Sequence, residues 1–311
     1  MKKIIATFAA LVLAFGYVSA QDLAEITEMY NSGAAAIAAG DKEGALKSFE
    51  QAYELASVLG ADGAEIADNC KKVIPDLNLS IAKGLVNATK YSEAIERLKT
   101  TISVAEKFAD ADILAEAKDI LPKVVMQNAG ALLNAKKYVE AAAAYKEVLD
   151  GDPTNGLAAL RMGLALNGAG KADEAKAALQ TAAENGQQTQ AYKQLTNIFL
   201  KEAAAALKGK DYAKAVTAAV TATEYDPKSS TAFQIAGQGS QVLGKDSDAI
   251  KYFEKYLELA PTAKNATQIA FTVGALYQKA KNNAKAVEYF QKAVNDPTLG
   301  EKAKTLINAL K

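Results

Sequence analysis

The sequence predicts an all-α protein assembled from repeated helical hairpins, and three observations carry that prediction. Alanine supplies 66 of the 311 residues, an abundance of the strongest helix former. Only six prolines occur, and four of them stand eleven or twelve residues after an aligned alanine, where they would end helices instead of interrupting them. A spacing of small and large apolar residues recurs seven times along the chain, at periods of 34 to 49 residues. Long β-branched runs are lacking, so an ordinary β-sandwich or doubly wound sheet is excluded.

Read in chain order, the first element is a targeting segment. Lys2 and Lys3 form a basic start, Ile4 to Val18 is apolar apart from Thr7 and Gly16, and Val18-Ser19-Ala20 is a small-residue cleavage site. The apolar run is too short to span a bilayer comfortably, so residues 1–20 are read as a signal peptide cleaved after Ala20 and not as a retained anchor. Removing it leaves Gln21 to Lys311 with 34 basic and 36 acidic residues. That places the protein outside the cytoplasm, periplasmic or extracellular, with no integral membrane span.

The array follows over residues 21–297. Gly33 to Ala52, Gly237 to Tyr256 and Gly274 to Ala293 each read as a helix, a polar turn and a second helix. Ala45, Ala94, Ala141, Ala175, Ala215, Ala249 and Ala286 form one column. Twelve residues before each stands Gly33, Ala82, Ala129, Gly163, Ala203, Gly237 or Gly274, and four after each stands Phe49, Leu98, Tyr145, Leu179, Ala219, Phe253 or Phe290. Small residues let two backbones approach, and the residue four later is a wedge on the same helical face. Pro153, Pro227, Pro261 and Pro297 then stop second helices. The first two units are elongated copies of each other, because Ile66, Ile74 and Pro75 stand at the same distances before Ala94 as Ile113, Leu121 and Pro122 before Ala141. Pro75 and Pro122 either open a helix or kink one. Residues 298–311, amphipathic and lysine-rich, are expected to form a C-terminal capping helix.

This small residue, alanine, wedge and proline spacing resembles the tetratricopeptide repeat family, most closely in the units around Ala141, Ala249 and Ala286. The family's early tryptophan is absent throughout. The resemblance implies a right-handed α-solenoid of about seven hairpins whose first helices line a concave, peptide-binding face. One subclass of the family clamps a terminal carboxylate with paired lysine and asparagine residues; at the corresponding places this chain has Tyr30, Ala34, Leu79 and Lys83, so that clamp is missing.

Composition narrows the chemistry. The chain has no histidine, which removes His-dependent triads and most zinc sites. Cys70 is the only cysteine, in an apolar-periodic stretch, and reads as a small buried hydrophobe. With 36 basic and 36 acidic residues there is no electrostatic footprint for nucleic acid. Gly239 to Lys245 has phosphate-loop spacing, but Asp246 stands where a hydroxyl should bind magnesium, and no strand precedes it. Paired acids such as Asp110 with Asp112 or Glu43 with Glu50 read as solvated faces. Asn78, Asn87 and Asn265 head formal glycosylation sequons. No catalytic residue, cofactor or metal is expected.

The function expected is therefore a non-catalytic protein-protein interaction scaffold of the cell envelope or exterior, holding a peptide or partner helix. The alternative is a structural subunit or assembly factor of an envelope complex acting through self-association. The resemblance turns Met126, Leu133, Leu160, Leu164, Leu200 and Leu207 toward the concave side, with Asn167, Lys201, Gln234, Gln238 and Gln241 nearby. Periodicity alone leaves open whether each leucine lines a groove or packs between units. The three glutamines recur at four and three residues, so they share a face and offer amides to a peptide main chain.

Overall fold

A computed structural model of the chain describes residues 20–310, which fall into two compact units divided between residues 131 and 132. The expected signal peptide lies outside the described residues except for Ala20, which begins the first helix. The first unit holds α1 (Ala20–Ala38), α2 (Lys42–Val58), α3 (Ala64–Asn87), α4 (Tyr91–Phe108) and most of α5 (Ala111–Asn134). The second holds α6 (Tyr138–Gly151), α7 (Gly156–Gly168), α8 (Ala172–Ala182), α9 (Gln188–Lys208), α10 (Tyr212–Tyr225) and α11 (Ser230–Val242). It continues with α12 (Asp246–Leu259), α13 (Ala266–Lys279), α14 (Asn283–Gln291) and α15 (Gly300–Ala309). Among the described residues there is no strand. Helices α1, α3, α7, α9, α11 and α13 are the first members of helical hairpins packed against the helix that follows, α5 runs into α6 through the same kind of turn, and α15 packs on α14 as the terminal helix.

Each hairpin turns in the same way, for a local reason. The residue five before the aligned alanine is left-handed in all seven: Gly40, Thr89, Lys136, Gly170, Lys210, Gly244 and Lys281, with φ between 58° and 80°. The next residue donates its N–H to the carbonyl five residues back, from Asp41 to Ala36 through Asn282 to Tyr277, at 2.9 Å each time. This is the Schellman closure, which satisfies carbonyls that the end of a helix leaves unpaired. The donor also caps the second helix: Asp41, Asp211 and Asn282 accept a main-chain N–H three residues on, while Lys90, Lys137, Lys171 and Lys245 have no side chain able to do so.

Packing within hairpins follows the predicted columns. All seven aligned alanines have no exposed surface. A methyl group added at Gly33, Gly163, Gly237 or Gly274 would lie 2.9, 2.7, 2.5 or 2.8 Å from the wedge of its own hairpin, Phe49, Leu179, Phe253 or Phe290. The wedge side chains therefore rest on bare backbone, and each buried phenylalanine among them removes a large apolar area from water, a gain of roughly 1.5–3 kcal/mol. The prolines act as expected: α6, α10 and α12 end two residues before Pro153, Pro227 and Pro261.

The elongated units resolve one alternative. Pro75 and Pro122 lie inside single helices, α3 and α5, each of 24 residues, and so open neither. The added length of each long step falls on a second helix and the first helix after it, since α2 and α4 have 17 and 18 residues and α3 and α5 have 24, against 14 in α10 and 13 in α11. Polar links run along the first unit: Arg97 on α4 donates to both carboxylate oxygens of Glu43 on α2 at 3.0 and 3.1 Å, and to the buried Asn78 of α3 at 3.2 Å. Asn78, buried and hydrogen-bonded, is thus unavailable as a glycan acceptor, whereas Asn87 is exposed. In the second unit, Tyr277 and Tyr289 both donate to Oε1 of Glu254, at 2.7 and 2.9 Å, tying α12, α13 and α14 together. Burial and that carboxylate push the Tyr277 hydroxyl up to about 12.

Candidate functional site

The residues expected on the binding face are distributed over both units. Met126, half-buried on α5, belongs to the first. Leu133, also half-buried, lies at the end of the same helix but within the second unit, together with all the others.

On α7 the expectation needs one correction. Leu160 is 4% exposed and belongs to the packed core, not to an open groove. The reason is that α7 is enclosed by α6, α8, α9 and the π-turn Ala183–Gln187, so its apolar residues are covered around most of its circumference. Leu164, one turn on, is half-buried, and Asn167 near the end of the helix is exposed. On α9, Leu200 and Leu207 are half-buried against the alanine-rich cluster of α9, α10 and α11, and Lys201 between them is exposed.

The glutamines sit on α11, which Ser229 caps by accepting from the Ala232 N–H. Gln234 and Gln238 are half-buried and Gln241 is exposed. None of the three side-chain amides has a hydrogen-bond partner among the described residues. They occupy one face of a helix whose opposite positions, Ile235, Ala236 and Gly239, are buried. A half-buried amide with both donor and acceptor unused can pair with an extended main chain laid beside it.

The remaining motifs take structural places. Gly239 and Ser240 are buried in α11, Gly244 is the left-handed turn residue, and Asp246 pairs with Lys279 at 2.5 Å. The phosphate-loop spacing is thus a hairpin junction. Cys70 is fully buried, and burial pushes its thiol up to about 11. Two clefts of the second unit had no signal in the sequence. One, about 530 Å³, is apolar and lies between the second helices, α6 and α8, over Met162 and Leu166. The other, about 550 Å³, is lined by residues that carry polar groups and lies between the start of α9 and the Tyr225 end of α10. Both depend on how neighbouring hairpins are offset, which no local spacing encodes. The extra length between Ala175 and Ala215 is the π-turn and the longer start of α9, beside that second cleft.

Tetratricopeptide repeat models match residues 132–198 and 267–295, which span α6 to the middle of α9 and the hairpin of α13 and α14. The repeat class inferred from the column spacing is supported over those stretches. No curated protein matches the chain. Among solved structures, the MamA protein is 21% identical over 58% of this chain and 94% of its own, with a TM-score of 0.36. YrrB, described as a TPR protein with an unusual peptide-binding site, is 20% identical over 58% of this chain and 91% of its own, at a TM-score of 0.33. PilF of Pseudomonas aeruginosa is 18% identical over 62% of this chain and 83% of its own, at 0.31.

Proposed function

We propose that the chain is a non-catalytic interaction scaffold that holds a peptide or partner helix on the first-helix side of its second unit. The observation that carries the reading is the row of unpartnered amides at Gln234, Gln238 and Gln241, at the register positions before the aligned alanine that the half-buried Leu200, Leu164 and Leu207 hold in the two preceding hairpins. Amides grip a main chain and leucines take its apolar side chains. No described helix is long and apolar enough to cross a membrane. Export follows from the basic start, apolar run and small-residue site of residues 1–20, and the exported protein should begin at Gln21 on N-terminal sequencing.

The test charges half-buried leucines and leaves the fully buried core residues in place. Leu164→Asp with Leu200→Asp should abolish recovery of crosslinked partners from the native envelope fraction while helicity stays near wild type. Gln234→Ala with Gln238→Ala, which removes amides and cannot create a buried charge, should weaken recovery by about tenfold, the loss of one or two hydrogen bonds. Unchanged recovery in both variants would overturn the reading.

A further inference from the structure

The chain as a whole is neutral, yet the first helices of the second unit are almost free of acids. Along α7, α9, α11 and α13 there are five cations, Arg161, Lys193, Lys201, Lys208 and Lys279, and one acid, Glu202. The second helices α6, α8, α10, α12 and α14 carry eleven acids against six lysines. The first unit shows no such sorting, since α1, α3 and α5 all bear several acids.

The ion pairs sharpen the asymmetry. Glu202 is taken by Lys176 of α8 at 2.8 Å, and Lys279 by Asp246 of α12 at 2.5 Å. Arg161, Lys193, Lys201 and Lys208 have no acidic partner among the described residues. At 100° per residue, Lys193, Lys201 and Lys208 fall within an arc of about 80° on α9. That arc adjoins Leu200 and Leu207.

Resting on the scaffold reading above, we propose that the segment held on this side is acidic: a stretch of chain that alternates carboxylates with aliphatic residues. Four cations that no acid neutralises in an ion pair make a field that attracts anionic partners and rejects basic ones. The interleaved leucines and the amides of Gln234 and Gln238 select an acidic peptide over a polyphosphate, which would leave both unused. The acids sorted onto the second helices leave that side for solvent.

The experiment is selection of a randomised dodecapeptide library on the purified full chain, followed by fluorescence anisotropy of the enriched peptides. Enriched peptides should carry at least two net negative charges together with aliphatic residues, and replacing their Glu and Asp by Gln and Asn should weaken binding by tenfold or more. Lys201→Glu with Lys208→Glu should weaken it by about as much, the effect expected when like charges face one another. Lys214→Glu with Lys228→Glu, the same charge change on α10 and its following loop, should leave binding within about twofold, because exposed distant charges are screened. Enrichment of neutral or basic peptides, or equal loss in the two double variants, would overturn the acidic specificity and leave the scaffold standing. No enrichment at all would sink both. Tighter binding of an oligonucleotide or of phosphatidylglycerol vesicles than of any acidic peptide would also overturn it.

Discussion

Gly237 shows how much of the fold rests on a missing side chain. A Cβ at this position would lie 2.5 Å from the Phe253 ring, which is almost wholly buried. Gly237→Ala should therefore destabilise the sixth hairpin by about 1–3 kcal/mol, the usual cost of overpacking, even though alanine is the better helix former. Denaturant unfolding would measure it. Adding Phe253→Leu should recover part of the loss by freeing the space, and an additive double variant would show that the ring is not the obstacle. Leu160 makes the converse point: its class and its helical position both suited a groove, but three neighbouring helices and a π-turn close over its helix.

At the scale of one element, the second helices differ in how they begin. Asp211 accepts the Lys214 N–H at 3.1 Å, while Lys137 in the equivalent place caps nothing, although its backbone adopts nearly the same conformation. Lys137→Asp should stabilise α6 by about 1 kcal/mol, and Asp211→Ala should cost α10 about as much. Lys136→Gly should add about 1 kcal/mol more, because Lys136 holds a left-handed φ of 59° that glycine adopts without strain. Thermal melts would read all three, and a fall in melting temperature for Lys137→Asp would contradict the capping argument.

At the scale of the molecule, contacts in the second unit run between successive helices and rarely skip one. Stability is then close to a sum over hairpins and their nearest-neighbour interfaces. Truncation after Asp226, just beyond α10, should leave helicity per residue unchanged in the remaining fragment, with a lower melting temperature because α10 loses its cover by α11. Circular dichroism showing a collapse of helicity in that fragment would refute additivity. The polar links fit the same picture, since Glu254 joins three consecutive helices and reaches no further.

The number of hairpins, their turns and their termini were legible in the sequence because each depends on residues within one hairpin. A small residue, an alanine twelve later and a wedge four beyond that must meet once two helices fold back, and a proline must stop the helix that reaches it. The left-handed position was legible only where glycine fills it, at Gly40, Gly170 and Gly244; Thr89, Lys136, Lys210 and Lys281 adopt it because the closure demands it. What the structure alone decided is that Leu160 is core, that Pro75 and Pro122 lie within helices, and which charges are spent. Lys176 and Lys201 look alike in the sequence. The first is held by Asp173 and Glu202, and the second has no ion-pair partner among the described residues, because pairing depends on which helices the packing brings within a few ångströms.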